Sequence, residues 1–316
     1  MLFSIGIPAF KKSFLKECID SILNQTFLDF ELIIVNDNSP EDLESIISLY
    51  DDKRIRYYKN SRNFGAENVI DNWNKCLSYA KGEYFLLMGD DDRLEPNYLE
   101  EFSILTKKSP ELDVLHCQSY IINEKGEKIG LTAAWPQYET IYENIWHRVL
   151  GLRQQYISDF VYKTKSLIAR KGFYKLPLAW ASDDISSFIA IGDKGIAHIN
   201  KPLFNYRKNM YTISSSGNVK LKMEAILLEK KWFEDFLIKI PKNQKDSLIH
   251  EYLKNNISDY IKQKKIAIIT QSFTINFIYH LPFWVVNKSN YQINLMEINL
   301  GLFRFVKNSI HRLLIR

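Results

Sequence analysis

The sequence predicts an α/β protein with a mostly parallel central sheet, helices on both of its faces, and a helical C-terminal extension. Three observations carry that expectation. Through the first third of the chain, short apolar runs of strand length alternate with segments of helical periodicity. Two of the runs end directly in acidic residues, as expected at the carboxyl edge of a parallel sheet, where functional groups gather. From about Lys220 onward the apolar spacing is helical only. Strand and helix in alternation imply parallel strands joined by crossovers.

The elements follow in order. Leu2–Ile7 reads as a buried strand and Phe14–Leu23 carries apolar residues at helical spacing. Glu31–Asn36 is a second buried strand, ending at Asp37-Asn38-Ser39; Ser39 before Pro40 and Glu41 reads as an N-cap with Pro at the first helical position. Ile55–Tyr58 is a third strand, Glu67–Ala80 a helix, and Tyr84–Met88 a fourth strand running into Asp90-Asp91-Asp92. A helix follows from Pro96. Beyond Val114–Asn123 the pattern is less regular, with a turn at Asn123-Glu124-Lys125-Gly126, and Ser182-Asp183-Asp184 precedes a helix over Ile185–Ile191. In the tail, Leu221, Ile226, Trp232, Phe233, Phe236 and Leu237 recur at helical spacing.

Composition narrows the class. The chain of 316 residues is 46% hydrophobic and 25% charged, with a net charge of +5, too mild for a nucleic-acid footprint. Three separated cysteines, Cys18, Cys76 and Cys117, fit reduced buried thiols, and six scattered histidines without ligand spacing argue against a zinc site. No basic leader precedes the first strand, and the longest apolar run, Phe277 to Val286, is interrupted by His280 and Pro282 and is too short to span a bilayer. A cytoplasmic protein that does not cross the membrane is expected.

The strongest chemical signal is Asp90-Asp91-Asp92. Three consecutive carboxylates at a strand end repel one another unless a cation neutralises them, and hard oxygen donors without His or Cys suit Mg²⁺ or Mn²⁺. The competing reading is a solvated acidic turn with Asp92 capping the helix near Pro96.

At this point the chain resembles family 2 glycosyltransferases, which have the Rossmann-like GT-A fold. Ser4-Ile5-Gly6-Ile7-Pro8-Ala9-Phe10 is similar to their opening strand and Pro-containing loop, and Ile33-Ile34-Val35-Asn36-Asp37-Asn38-Ser39 to the second strand with its nucleobase-binding Asp-x-Ser. Asn63-Phe64-Gly65, Ala80-Lys81-Gly82-Glu83-Tyr84, the Asp triplet, Asp183-Asp184 and Leu203-Phe204-Asn205-Tyr206-Arg207 continue in the family's order. The resemblance covers about residues 1–215, leaving 216–316 as a helical region for acceptor, oligomer or membrane contact.

The resemblance implies a nucleotide-sugar donor, UDP-linked, and roles for particular residues. Asp37 would accept a hydrogen bond from the base, with helix capping as its alternative; Pro8, Ala9 and Phe10 would wall the base; and Asn68 joins this donor set. Asp90 would approach the ribose or phosphates, Asp91 would be the direct metal ligand, and Asp92 would bind the metal through water or cap a helix. Gly89 stands where many members begin Asp-x-Asp-Asp, and Lys208-Asn209-Met210 stands where many place a His. Arg207 or Lys208 would then meet the pyrophosphate. Inverting transfer needs one carboxylate to take the acceptor hydroxyl's proton, and the family's pattern points to Asp184 within Asp183-Asp184, where an N-terminal helix cap is the alternative. Trp135 and Trp180 are candidates for stacking on sugar rings or for core packing.

The acceptor implied is a glycan or lipid-linked hydroxyl in bacterial surface polysaccharide or glycolipid synthesis. With no spanning helix, one sugar per encounter is expected. The rival readings are an inactive nucleotide-sugar-binding relative and a nucleotidyltransferase; the latter needs a Gly-rich phosphate loop that Ile7-Pro8-Ala9-Phe10-Lys11-Lys12 lacks. A dinucleotide-dependent dehydrogenase fails for want of GxGxxG. In the last helix, Leu302, Phe303, Phe305, Val306, Ile310, Leu313 and Leu314 with Arg304, Lys307, Arg312 and Arg316 fit either a membrane-surface helix or a packed one.

Overall fold

The computed structural model describes residues 1–209 and 218–314, with side chains up to His311 in the last helix. Expectations resting on Met210, on a boundary at residue 215, on Arg316, and on the side chains of Arg312, Leu313 and Leu314 lie outside what is described. The chain divides into two compact units: Met1–Lys175 with Ser182–Tyr211, and Leu176–Ala181 with Thr212–Arg316.

The first unit is built on one sheet, ten-stranded among the described residues. Its parallel half is β1 (Phe3–Ala9), β2 (Phe30–Asn36), β3 (Ile55–Lys59) and β4 (Tyr84–Leu87), in spatial order β3-β2-β1-β4. β1 and β2 are apolar along nearly their whole length because helices cover both faces, so inward and outward positions are equally dry. The connecting helices are α1 (Leu15–Leu23), α2 (Glu44–Ile47) and α3 (Val69–Ser78). Gly6 in β1 makes the closest approach possible, since a Cβ there would stand 2.8 Å from the Cβ of Cys76 and from the ring of Phe85. Pro8 lacks a donor but sits beyond the last β4 rung, which pairs Gly6 with Leu87.

The sheet continues as β4-β9-β6-β10-β5, with β5 (Arg93–Leu94), β6 (Val114–Ile122), β9 (Phe160–Lys163) and β10 (Ile196–Arg207). β9 runs antiparallel to both β4 and β6, whereas β10 pairs parallel with β6. Two short strands, β7 (Lys128–Leu131) and β8 (Tyr138–Glu139), pair antiparallel with β6 and β10. The uniform alternation of the first hundred residues therefore gives way to mixed pairing, where the sequence pattern also loses its regularity. Helices α4 (Tyr98–Lys108), α5 (Ile141–Val149), α6 (Thr164–Ala169) and α7 (Ser182–Ile191) complete the unit.

One local expectation is corrected here. Ser39 does not cap a helix: α2 begins only at Glu44 with Leu43 before it. The Ser39 hydroxyl instead donates to the Phe10 carbonyl (2.5 Å) and accepts from the Glu41 amide (3.1 Å), closing a turn that ties β2's exit to β1's. Asp92 does not cap α4 either, whose N-cap position is Asn97.

Three α-helices make up most of the second unit's described residues: α8 (Val219–Phe236), α9 (Gln244–Val286, broken at Asn276) and α10 (Leu295–Leu314). Met223, Ile226 and Phe233 of α8, Leu253, Ile261, Ile269 and Phe273 of α9, and Ile298 of α10 are buried. The three cysteines are free and buried, all in the first unit.

Candidate active site

The parallel strands all deliver their carboxyl ends to one edge, and the chemistry predicted from sequence converges there. The Ala9 carbonyl at the end of β1 accepts from the Asp37 amide at the end of β2 (2.9 Å). The carboxylate of Asp90, just past β4, accepts from the Phe10 and Lys11 amides at 2.7 and 2.8 Å. Asp37, Asp90, Pro8, Ala9 and Phe10 therefore share one edge because three strands are in register, not because they are near in sequence. Phe10 is exposed at the rim, Ala9 is buried under it, and Pro8 lies between.

Asp37 is buried, and its carboxylate accepts from the Asn60 amide group (2.9 Å) and the Phe64 backbone N–H (3.1 Å). It thereby holds the Asn63-Phe64-Gly65 loop against the strand ends. Asn68, at the end of the 3₁₀ turn Ala66–Asn68, donates to the Phe64 carbonyl (3.3 Å), so it stabilises the same loop from its other side.

The three aspartates occupy three environments. Asp90 is packed beside Asp91, and its carboxyl is pushed up to about 6, by burial first and by Asp91 next. Asp92 turns inward: its Oδ1 accepts from the Arg207 amide (2.8 Å), and burial followed by the Asp91 charge raises its pKa well above the usual range. Gly89 permits this fold-back, since a Cβ at that position would come within 2.6 Å of the Asp92 Oδ2. The glycine that departs from the family pattern thus leaves room for the Asp92 side chain. Asp91 points outward, accepting from the Asn209 side-chain amide (2.7 Å) with the Lys11 ammonium 3.8 Å away.

Arg207 is placed differently from expectation. Its guanidinium is fully buried, donating from Nε to the Asp91 carbonyl (2.6 Å) and from Nη1 to the Asn123 and Glu124 carbonyls, and pairing with Glu17 at 2.7 Å. With its donors committed to the protein, it braces the acidic turn from behind. A basic group beside Asp91 is Lys11, missed although it directly follows Phe10.

Among the described residues no three carboxylate, histidine or cysteine side chains converge as a ready-made metal cage. The donor set nonetheless fits Mg²⁺ or Mn²⁺. Such ions need one or two carboxylates and take remaining ligands from water and substrate phosphates, and Asp90 and Asp91 stand side by side at this edge.

Asp184 lies in the first turn of α7 and is 4% exposed at its side chain. The Arg148 Nε reaches both of its oxygens at 3.0 Å, and the Gln155 side-chain amide donates at 2.7 Å. Asp183 is the more exposed of the pair. Arg148, at the end of α5, is itself fixed by donating to the Arg153 carbonyl (2.9 Å). Arg153 pairs with Glu139 at 2.6 Å and its guanidinium lies 4.9 Å from the Trp135 ring. Glu139 also receives His147 (2.6 Å) and Asn144 (3.0 Å), with His198 at 3.3 Å, and these partners hold its carboxyl below the usual range against the opposing effect of burial. His116 stacks on Trp135 at 3.8 Å and lies 3.4 Å from Asp159. Trp135 therefore packs in this buried cluster. Trp180, in the second unit, lies beneath the Lys222 ammonium at 4.7 Å. Sequence spacing gave no hint of Arg148 or Gln155, whose partner Asp184 lies far along the chain, nor of Glu139.

Residues 4–176 match the family model described as glycosyl transferase family 2. An uncharacterized glycosyltransferase of Rickettsia typhi is 34% identical over 130 residues, 40% of this chain and 39% of its own length. The chondroitin synthase of Pasteurella multocida is 34% identical over 140 residues, 43% of this chain and 14% of its own. The chain thus spans about two fifths or less of the length of these relatives. Among solved structures, S. aureus TarS 1–349 in complex with UDP-GlcNAc superposes with TM-score 0.64 at 17% identity, covering 97% of this chain and 81% of that one. The mannosyltransferase PcManGT from Pyrobaculum calidifontis, in complex with GDP-Man and Mn²⁺, gives 0.52 at 12% identity over 96% and 86%. The structural likenesses establish the GT-A fold, and with more than half of its length matched by the family model, the chain belongs to glycosyl transferase family 2.

Proposed function

We propose that the chain is an inverting hexosyltransferase that moves a sugar from a UDP-sugar to the hydroxyl of a glycan or lipid-linked acceptor, in bacterial surface polysaccharide or glycolipid synthesis. The observation that carries this reading is the single edge where Asp37, Asp90 and Asp91 meet the Pro8-Ala9-Phe10 strand end. A pyrimidine base fits against Asp37 beside Phe10, and Asp90 lies toward the ribose. Asp91 is the outward carboxylate for Mn²⁺ or Mg²⁺, which when bound offsets the charge of the leaving diphosphate. Asp92 and Arg207 support Asp91 from behind, and Lys11 supplies positive charge on the open side.

Asp184 takes the proton of the acceptor hydroxyl as its oxygen attacks the anomeric carbon from the face opposite the diphosphate. Arg148 and Gln155 hold that carboxylate in one orientation, so little reorganisation is needed as the proton moves. A cytoplasmic enzyme, peripheral on the inner face of the cell membrane or paired as a homodimer through its C-terminal helices, completes the reading.

The experiment is to incubate the protein and Mn²⁺ with UDP- and GDP-linked sugars, following donor hydrolysis and transfer to glycan acceptors. Turnover of a UDP-sugar with inverted product configuration is expected. Metal-dependent nucleotide binding without turnover would establish an inactive relative instead, and pyrophosphate release from a nucleoside triphosphate would establish a nucleotidyltransferase.

A further inference from the structure

Helix α10 has two apolar faces, and one packing partner accounts for only one of them. Ile298 is buried, Gly301 lies so close to α9 that a Cβ would come within 2.6 Å of Ile269, and Phe305 stacks on Phe277 at 5.7 Å. On the opposite side Leu295, Met296, Phe303, Val306 and Ile310 are exposed, Phe303 at 65%. At 100° per residue these five fall within one stripe, where a water-facing helix would carry polar side chains. The end of α9 repeats the pattern: Ile275, Ile278, Tyr279, Val285 and Val286 are exposed, Ile278 at 85% and Val286 at 79%.

Along the last fifty residues the charge in the sequence is nearly all of one sign. After Lys265 the sequence holds Lys288, Arg304, Lys307, Arg312 and Arg316 against a single acid, Glu297. That acid is buried and committed: its carboxylate accepts from the Asn294 amide (2.7 Å) while its own amide donates to the Asn294 side chain (2.9 Å), a reciprocal cap at the helix start. No exposed carboxylate therefore lies on the α10 stripe among the described residues, and Lys307 borders it.

We propose that this face of the second unit docks on the surface of an anionic phospholipid bilayer, with the α10 stripe entering the headgroup layer. A bilayer surface matches both features at once. The apolar side chains enter the acyl boundary while the basic ones meet lipid phosphates. A second copy of the chain would bury the stripe but bring Lys307 and Lys288 toward identical charges. No described helix is long and apolar enough to cross the bilayer, so the contact is peripheral. The inference deepens the peripheral reading given under the proposed function.

Co-sedimentation of the full chain with phospholipid vesicles is the test. Vesicles containing roughly one third phosphatidylglycerol should bind the protein at low salt, with binding about tenfold weaker on pure phosphatidylcholine. Phe303→Glu and Ile310→Glu should each weaken binding by about tenfold or more, and Lys307→Glu by less. These positions are exposed, so the variants should melt like the parent protein. Equal binding by parent and variants overturns the inference, as does a stable dimer in solution that Phe303→Glu converts to monomer. Donor hydrolysis by the same preparations separates the two readings. Turnover without vesicle binding overturns the membrane inference alone, and vesicle binding without turnover overturns only the catalytic one.

Discussion

Two carboxylate clusters lie in the first unit, and they are built on opposite principles. Asp90, Asp91 and Asp92 are adjacent in sequence, crowd one another, and two of them have their protons held above the usual range. Glu139 and Asp184 are gathered from distant segments, and each is met by an arginine: Glu139 by Arg153 and Asp184 by Arg148. Like charges crowded at an open edge mark a place suited to a cationic ligand, whereas charge matched by arginines marks a scaffold that fixes geometry. The first cluster is therefore read as the donor and metal edge, the second as the support of the base.

The sharpest way to break that comparison is at Asp91. If it is the outward metal ligand, Asp91→Ala abolishes transfer and removes the metal dependence of nucleotide binding. Titration with UDP, with and without Mn²⁺, reads the second effect directly. Unchanged metal-dependent affinity would return the triplet to an ordinary acidic turn.

Asp184→Asn comes next. It keeps the shape and the Arg148 side, removes the proton acceptor, and should lower kcat by roughly 10²–10⁴ with donor binding intact. Asp183→Asn should cost less. Because Asp183 is the more exposed of the pair, the reverse ranking would move the base by one residue and leave Arg148 with a structural duty only.

These two clusters also divide what was legible in the sequence. The donor edge could be read because each of its parts is local: a strand followed at once by Asp37 or by Asp90-Asp91-Asp92, with parallel topology bringing the ends together. The support of Asp184 could not, since Arg148, Gln155, Glu139 and the three histidines beside Trp135 and Glu139 are joined only by the mixed pairing of β6, β8, β9 and β10. Scattered histidines that suggested nothing by spacing converge in the fold. Arg207 was found but its inward turn was not, because a motif fixes where a residue sits and not which way its side chain turns. The Ser39-Pro40 turn was misread for a similar reason: its local capping chemistry is real, but its partner is the Phe10 carbonyl.

In the matched cluster, Glu139→Gln should destabilise the fold by about 3 kcal/mol, because it leaves the buried Arg153 uncompensated. Chemical denaturation measures it. The same cluster predicts a pH trend. Burial lowers His198 to about 3, so as pH falls below the ordinary histidine value of about 6.5 the unfolded chain takes up a proton that the native one refuses. Stability is lost on acidification across that window. A native state equally stable at both ends of it would mean that His198 is protonated inside the cluster.

The unmatched cluster predicts the opposite sign, on a smaller scale. The Asp90 carboxyl is raised from 3.8 to about 6, so between those values the native state keeps a proton that the unfolded chain has released. Its contribution to stability is therefore lost as pH rises through this window, and above it the charged carboxylate is a fixed cost of folding beside Asp91. Asp90→Asn removes the charge while its side-chain oxygen can still accept from the Phe10 and Lys11 amides. In the presence of a chelator the variant should be more stable than the parent by about 1 kcal/mol at pH 7, a figure discounted for partial exposure. The gain should shrink as pH falls toward 4, where the native carboxyl of the parent is protonated. Thermal melts of both proteins across pH 4 to 8 give the difference directly, free of the His198 trend that both share. Mn²⁺ with UDP should narrow the gap by stabilising the parent more. A variant that is less stable than the parent at pH 7 would show that the two backbone amides already neutralise Asp90, and the edge would then hold no excess charge for a cation to relieve.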